Sequence, residues 1–134
     1  MTKKCCVQTN LDLGILLLRF ALAIVFIIHG LAKFQSMPAT IEFFGTLGLA
    51  PFMAYFIAAI EFFGGVLLLL GMFTPWTALI LGINMFFAIL LVKLDKPFLA
   101  GYEFDLTLML VSFGLSLLGT GKYTVCPCDK EKKR

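Results

Sequence analysis

Charge is what this sequence has least of. Only 14% of its 134 residues are Asp, Glu, Lys or Arg, against about 25% in ordinary soluble domains. The shortage is uneven. Long runs carry almost no charge, while Lys3 and Lys4 sit near one end and Lys130, Lys132, Lys133 and Arg134 at the other. With 60% apolar residues and a mean hydropathy of +0.99, the chain lacks the polar surface that would cover a soluble core. A soluble four-helix bundle ranks low on the same ground, because its helices need polar faces. Histidine and tryptophan are scarce too, with one of each. One histidine cannot give a haem both axial ligands within one copy. Fifteen phenylalanines without basic–aromatic interleaving exclude the stacking platform of a nucleic-acid binder. Absent as well are a phosphate loop, a dinucleotide fingerprint, H-E-x-x-H, G-x-S-x-G and a haem-attachment motif. The length suits a single domain over residues 1–134 with no further soluble module.

What is present is four apolar runs. A bilayer core of roughly 30 Å takes about 20 residues of helix. The runs cover residues 13–31, 51–72, 75–92 and 104–118, the last being the shortest. Backbone polar groups cannot stay open in lipid, so these runs predict helices and an all-α membrane protein, a four-helix transmembrane bundle. Pro51 and Pro75 stand where a first-turn proline loses no hydrogen bond, and Thr74 is placed to cap the third span. The first run contains an arginine and is followed by no small-residue cleavage site, so it reads as a retained span and not a signal peptide. Four spans put both termini on one side, and their lysines put that side in the cytoplasm. The tails are residues 1–12 and 119–134. Residues 39–49 form either a short amphipathic helix along the outer interface or an ordered apolar loop.

Ionisable side chains inside spans are costly and normally turn inward to a partner. By helix rise, Arg19 lies about 9 Å, Glu61 about 15 Å and Asn84 about 14 Å from the cytoplasmic ends of their spans. These three are therefore expected in one layer, with an Arg19–Glu61 pair completed by Asn84, acting either as a bundle clamp or as a functional site. Nearer the outer face, His29 and Lys33 lie one turn apart on one side of the first helix. With Lys93, Glu103 and Asp105 they are expected to ring an opening. His29 is the side chain best suited to exchanging protons near neutral pH, although a plain anchoring hydrogen bond is the simpler role. For Lys33 and Lys93 the expectation is snorkelling to the headgroups. Ala58 and Gly65, like Gly64 and Gly71, recur at heptad spacing and allow close helix approach, within the bundle or between subunits of a homo-oligomer.

All four cysteines lie outside the spans, on the side assigned to the cytoplasm, where stable disulfides are rare. Cys126 and Cys128 supply at most half of a zinc site. Completing it with Cys5 and Cys6 requires both tails to meet; otherwise these are unspecialised tail thiols. Cys5 and Cys6 also stand where acylation occurs in a eukaryotic setting.

Taken in series, Leu-Arg-Phe-Ala, Ile-His-Gly-Leu-Ala-Lys-Phe, Ile-Glu-Phe-Phe-Gly-Gly, Leu-Gly-Met-Phe-Thr, Ile-Asn-Met and Gly-Thr-Gly-Lys-Tyr resemble the DoxX family of small four-helix membrane proteins, over about residues 13–125. The resemblance implies a bacterial or archaeal cytoplasmic (inner) membrane and an association with respiratory or oxidative-stress redox chemistry. Relatives include a subunit of a thiosulfate–quinone oxidoreductase, and others work with thiol-handling partners. It singles out Arg19, His29, Gly30, Lys33, Glu61, Gly64, Gly65 and Asn84. Pro75 stands where the family commonly has a basic residue and Lys93 where it often has histidine, so a site with two outer histidines is not expected. The Cys-Pro-Cys tail is not a general family feature.

Three readings follow. The first is a membrane subunit of a quinone-linked redox system, with the quinone as the implied ligand. The second is a non-enzymatic scaffold for a soluble redox protein at the cytoplasmic face. A small-solute transporter ranks last, since no inverted repeat is visible.

Overall fold

Asn10 starts the first helix by accepting the Leu13 N–H at 3.1 Å, which satisfies one of the amides a helix start leaves free. The structure, a computed structural model, describes residues 10–125. Helix α1 is Leu11–Gln35, α2 Met37–Thr46, α3 Pro51–Leu70, α4 Thr74–Ala88 and α5 Glu103–Leu118. A widened helical turn at Ile89–Lys93 lengthens α4, whereas Phe98–Tyr102, ahead of α5, is kinked at Leu99 (ψ 130°) and Ala100 (φ 58°). Four segments are long and apolar enough to cross a bilayer: Leu11–Gln35, Pro51–Leu70, Thr74–Lys93 and Phe98–Leu118. The first, third and fourth are longer than the apolar runs alone indicated. Residues 39–49, open between helix and loop in the sequence, are mostly helical, as α2. Large apolar side chains point away from the bundle, among them Trp76 at 68% and Leu117 at 89% exposure. Such an outer surface suits lipid contact.

Glycines set how closely the helices approach. A Cβ on Gly30 would fall 2.5 Å from the backbone nitrogen of Phe62, and one on Gly65 would fall 2.9 Å from that of Ile27. Here α1 and α3 touch backbone to backbone. A Cβ on Gly82 would fall 2.7 Å from the Phe113 ring, which brings α4 against α5. Between these two tight pairs lies a core containing Leu22, Phe26, Leu68, Leu81 and Leu115. Helix α2 packs on α3 through Met37, Phe44, Ala54 and Ala58. Ala58 and Gly65 therefore serve contacts within the chain, and Gly64 faces Leu81 of α4.

Gly71 departs from the heptad reading. It ends α3 in the left-handed conformation (φ 75°), with its N–H and that of Met72 returning to Leu68 and Leu67 carbonyls, a glycine stop that a side chain would strain. It is a turn residue and not part of a helix face. Thr74 does not cap α4 as expected. Phe73 takes the position before the helix at φ 50°, and Thr74 is buried with no hydrogen-bond partner for its hydroxyl among the described residues.

The glycine contacts give a direct test. Gly30→Ala should lose about 1–3 kcal/mol to overpacking, because the atom it meets is backbone. Gly14 has nothing within 4 Å of its Cβ direction, so Gly14→Ala should be neutral or stabilising by up to about 1 kcal/mol. Unfolding of the two variants in detergent measures the contrast, and equal effects would remove Gly30 as the close-approach point.

Candidate functional site

Gly30 and Phe62 fix the register of α1 on α3, and with it the partners of the buried carboxylate. Three residues beyond Gly30, Lys33 reaches Glu61, and the two form an ion pair through Oε2. The other oxygen, Oε1, accepts from Asn84 Nδ2 at 3.0 Å. One carboxylate, 3% exposed, thus ties α1, α3 and α4 together. Lys33 does not snorkel outward as expected. Its ammonium turns to the carboxylate, the kind of partner that offsets a charge at this depth. A second ion pair, Lys93–Asp105, joins the end of α4 to the start of α5, so Lys93 does not snorkel either.

The expected Arg19–Glu61–Asn84 layer is thereby corrected: Glu61 and Asn84 meet, and Arg19 is elsewhere. Arg19 lies eleven positions before Gly30 on α1, about 16 Å along the axis. At that level its guanidinium donates to the carbonyls of Leu68 (3.0 Å), Leu69 (3.2 Å), Thr120 (3.0 Å) and Tyr123. Arg19 is 1% exposed and lies directly against Gly71. Residues 119–125 consequently fold across this end of the bundle and are not a free tail. Lys122 N–H donates to Asp12 Oδ1 at 3.0 Å, Val125 N–H to Leu70 O at 3.0 Å, and the Thr124 hydroxyl to Gly71 O at 2.9 Å. This end, where α1 begins and α5 finishes, is the terminal end, and the opposite one is the loop end. Cys5, Cys6, Cys126 and Cys128 lie outside the described residues. Among the described residues no three His, Cys, Asp or Glu groups gather as a metal site would require.

The loop end holds a cavity of about 980 Å³, at the upper limit of ordinary small-molecule sites. Val25, Phe26, Ile57, Ile60 and Leu108 give it apolar walls, Phe43 and Phe44 of α2 close one side, and His29, Lys33, Glu61, Asn84, Lys93 and Asp105 all reach it. Of the expected outer ring, Glu103 is the exception. It accepts the Ala100 N–H at 3.1 Å and so braces its own loop. His29 Nδ1 lies 2.8 Å from Val25 O. A carbonyl only accepts, so Nδ1 carries a hydrogen, and in the neutral ring the lone pair is on Nε2. The imidazole stacks on Phe104, with centroids 6.2 Å apart. Sequence reasoning missed Phe104, the α2 wall and the backbone carbonyls around Arg19. None of these carries a polar side-chain signal.

A family model described as DoxX matches residues 14–94. A Bacillus subtilis (strain 168) protein named "Putative oxidoreductase CatD" is 47% identical over 111 residues, covering 83% of this chain and 83% of that protein. "Inner membrane protein YqjF" of Escherichia coli (strain K12) is 34% identical over 68 residues, covering 51% of this chain and 52% of the relative. No solved structure matches. The stretch matched by the family model includes Arg19, His29, Lys33, Glu61, Asn84 and Lys93, while Asp105 and residues 119–125 fall outside it. With four apolar spans and a relative named for the inner membrane, the chain is a multi-pass inner-membrane protein.

Removing one partner of a buried pair strands the other. Lys33→Met should therefore cost about 2 kcal/mol, less than a fully buried pair because the Lys33 side chain is a quarter exposed. Adding Glu61→Leu should restore most of that loss. A double-mutant cycle on unfolding in detergent reads the coupling; strictly additive losses would show that the pair does not act as a unit.

Proposed function

The chain belongs to the DoxX family, and on that premise we propose that it is the membrane subunit of a redox system whose loop-end cavity receives the ring of a quinone. The observation that carries this reading is the combination of apolar walls with a few convergent polar groups, the ordinary make-up of a small-molecule site. The donor set fits both redox states of such a ring. Lys33 and Lys93 have N–H donors left after their ion pairs, suited to a ring carbonyl. His29 Nε2 and the Asn84 amide oxygen are acceptors, suited to a ring hydroxyl. Glu61 holds Lys33 and Asn84 in place and is a positioning residue. The oxidoreductase name of a relative supports the redox half of the proposal. With the lysine-rich termini in the cytoplasm, the cavity opens toward the outer side and a soluble redox partner meets the terminal end.

A second reading rests on a different observation. Arg19 locks residues 119–125 across the terminal end, which gives that end a fixed face. A scaffold for a soluble redox protein would use that face and leave the cavity without a ligand of its own.

One experiment separates the two. Purified full-length protein and Glu61→Gln are titrated with 2-methyl-1,4-naphthoquinone, and pull-downs from membranes compare the full chain with one lacking residues 126–134. The quinone reading expects saturable binding weakened about tenfold by Glu61→Gln, since losing the carboxylate charge frees Lys33. No binding, or binding indifferent to Glu61→Gln, removes it. Partners lost with the tail in that case favour the scaffold.

A further inference from the structure

The cavity does not end at the polar groups. A groove of about 320 Å³ runs between α3 and α4, and Phe56, Ile60 and Ile80 line both it and the cavity. The two spaces therefore adjoin, with these three side chains between them. Along α3 the groove is bordered by positions 56, 59, 60, 63, 64 and 67, the spacing of one helix face. From Phe56 to Leu67 this face extends about 16 Å toward the terminal end. Its depth comes from Gly64, which is buried and lacks the side chain that would meet Leu81 Cδ2 at 3.1 Å. Thr77 is the single polar side chain of its lining. Phe56, Phe63 and Ile80 on its rim are exposed, so the groove opens sideways to the surface that faces lipid.

We propose that the α3/α4 groove is a tail-binding site and that the ligand of the cavity is an amphiphile drawn from the membrane, with a compact polar ring as head and a long apolar tail. This rests on the quinone reading of the cavity and narrows it to lipid-tailed quinones, excluding water-soluble ring compounds as the natural ligand. The head enters between Phe56 and Ile80 and meets Lys33, Asn84 and His29. The tail stays between α3 and α4, where the lining offers no hydrogen-bonding group but Thr77. The micelle interior is itself apolar, so the gain comes from the dispersion contacts of a tail packed along the groove wall, not from leaving water.

Trp76, the only tryptophan, lies one turn before Ile80 on α4, and its quenching by a quinone reports binding. The test uses the full-length protein in micelles and two probes: 2-methyl-1,4-naphthoquinone and the same ring bearing a four-isoprene tail. Ala59 lies in the groove and is half-buried, so Ala59→Phe fills the groove without touching the polar groups; Ala59→Leu is a milder filling that keeps the test valid if the larger side chain disturbs folding. The tail should tighten binding about tenfold through its packing contacts. The Ala59 variants should remove that gain and leave the tail-less probe unchanged. A tail gain that survives both variants, or no gain at all while the tail-less ring binds, overturns the groove and leaves the quinone reading standing. A lysophospholipid that displaces the tailed quinone and is itself sensitive to Ala59→Phe shows a general lipid groove and also overturns the assignment. Failure of both quinones to bind overturns the cavity reading and this inference together.

Discussion

An ionised carboxylate at membrane depth has to be met by charge and hydrogen bonds from the protein, because lipid offers neither. Glu61 imposes that requirement on this bundle. Its two oxygens take Lys33 from α1 and Asn84 from α4, so three helices must bring their polar atoms to one point. The backbone contact of Gly30 with Phe62 sets the level at which α1 and α3 meet, and it leaves Lys33 within reach. Moving that contact by one turn would strand Glu61 and Lys33 alike. The apolar walls of the cavity have value as a binding site only because these charges are already paired within them.

The two ends of the bundle solve opposite problems. At the terminal end, Arg19 gathers carbonyls from the last turn of α3 and from residues 119–125. The carbonyls that a helix C-terminus leaves without partners there become acceptors for a buried cation. This closes that end. At the loop end, the α1–α3 and α4–α5 pairs each stay tight through glycine, while the space between them widens into the cavity and is bridged by α2 and by the Lys93–Asp105 pair. Closure at one end and separation at the other give the bundle a pocket while α1, α3, α4 and α5 each stay unbroken.

Most of the architecture was legible in the sequence, since hydropathy and chain breaks are one-dimensional signals. The spans follow from apolar runs bounded by Pro51, Pro75 and the polar 93–101 loop. The identities of the polar residues were legible too, and Glu61 with Asn84 came out as neighbours. Their full pairing was not. Depth counted from span ends ignores the register of neighbouring helices and the direction of side chains, which tilt toward the N-terminus of their own helix. In α1 that tilt carries Arg19 toward the terminal end and Lys33 back toward the bundle. In antiparallel α3 it carries Glu61 toward Lys33. The fold of residues 119–125 was hidden for another reason, because the groups that Arg19 holds there are backbone carbonyls, which every residue has.

The central claim is that the Lys33–Glu61–Asn84 cluster faces a ring carbonyl in the loop-end cavity. Infrared difference spectra of carbonyl-13C-labelled naphthoquinone bound to the full-length protein test it most directly. The account predicts that one C=O stretch lies below its value in the free quinone, because Lys33 donates to it, and that Lys33→Met returns it to the free value while the quinone stays bound. A bound quinone whose carbonyl stretches match the free compound in the unaltered protein would contradict it.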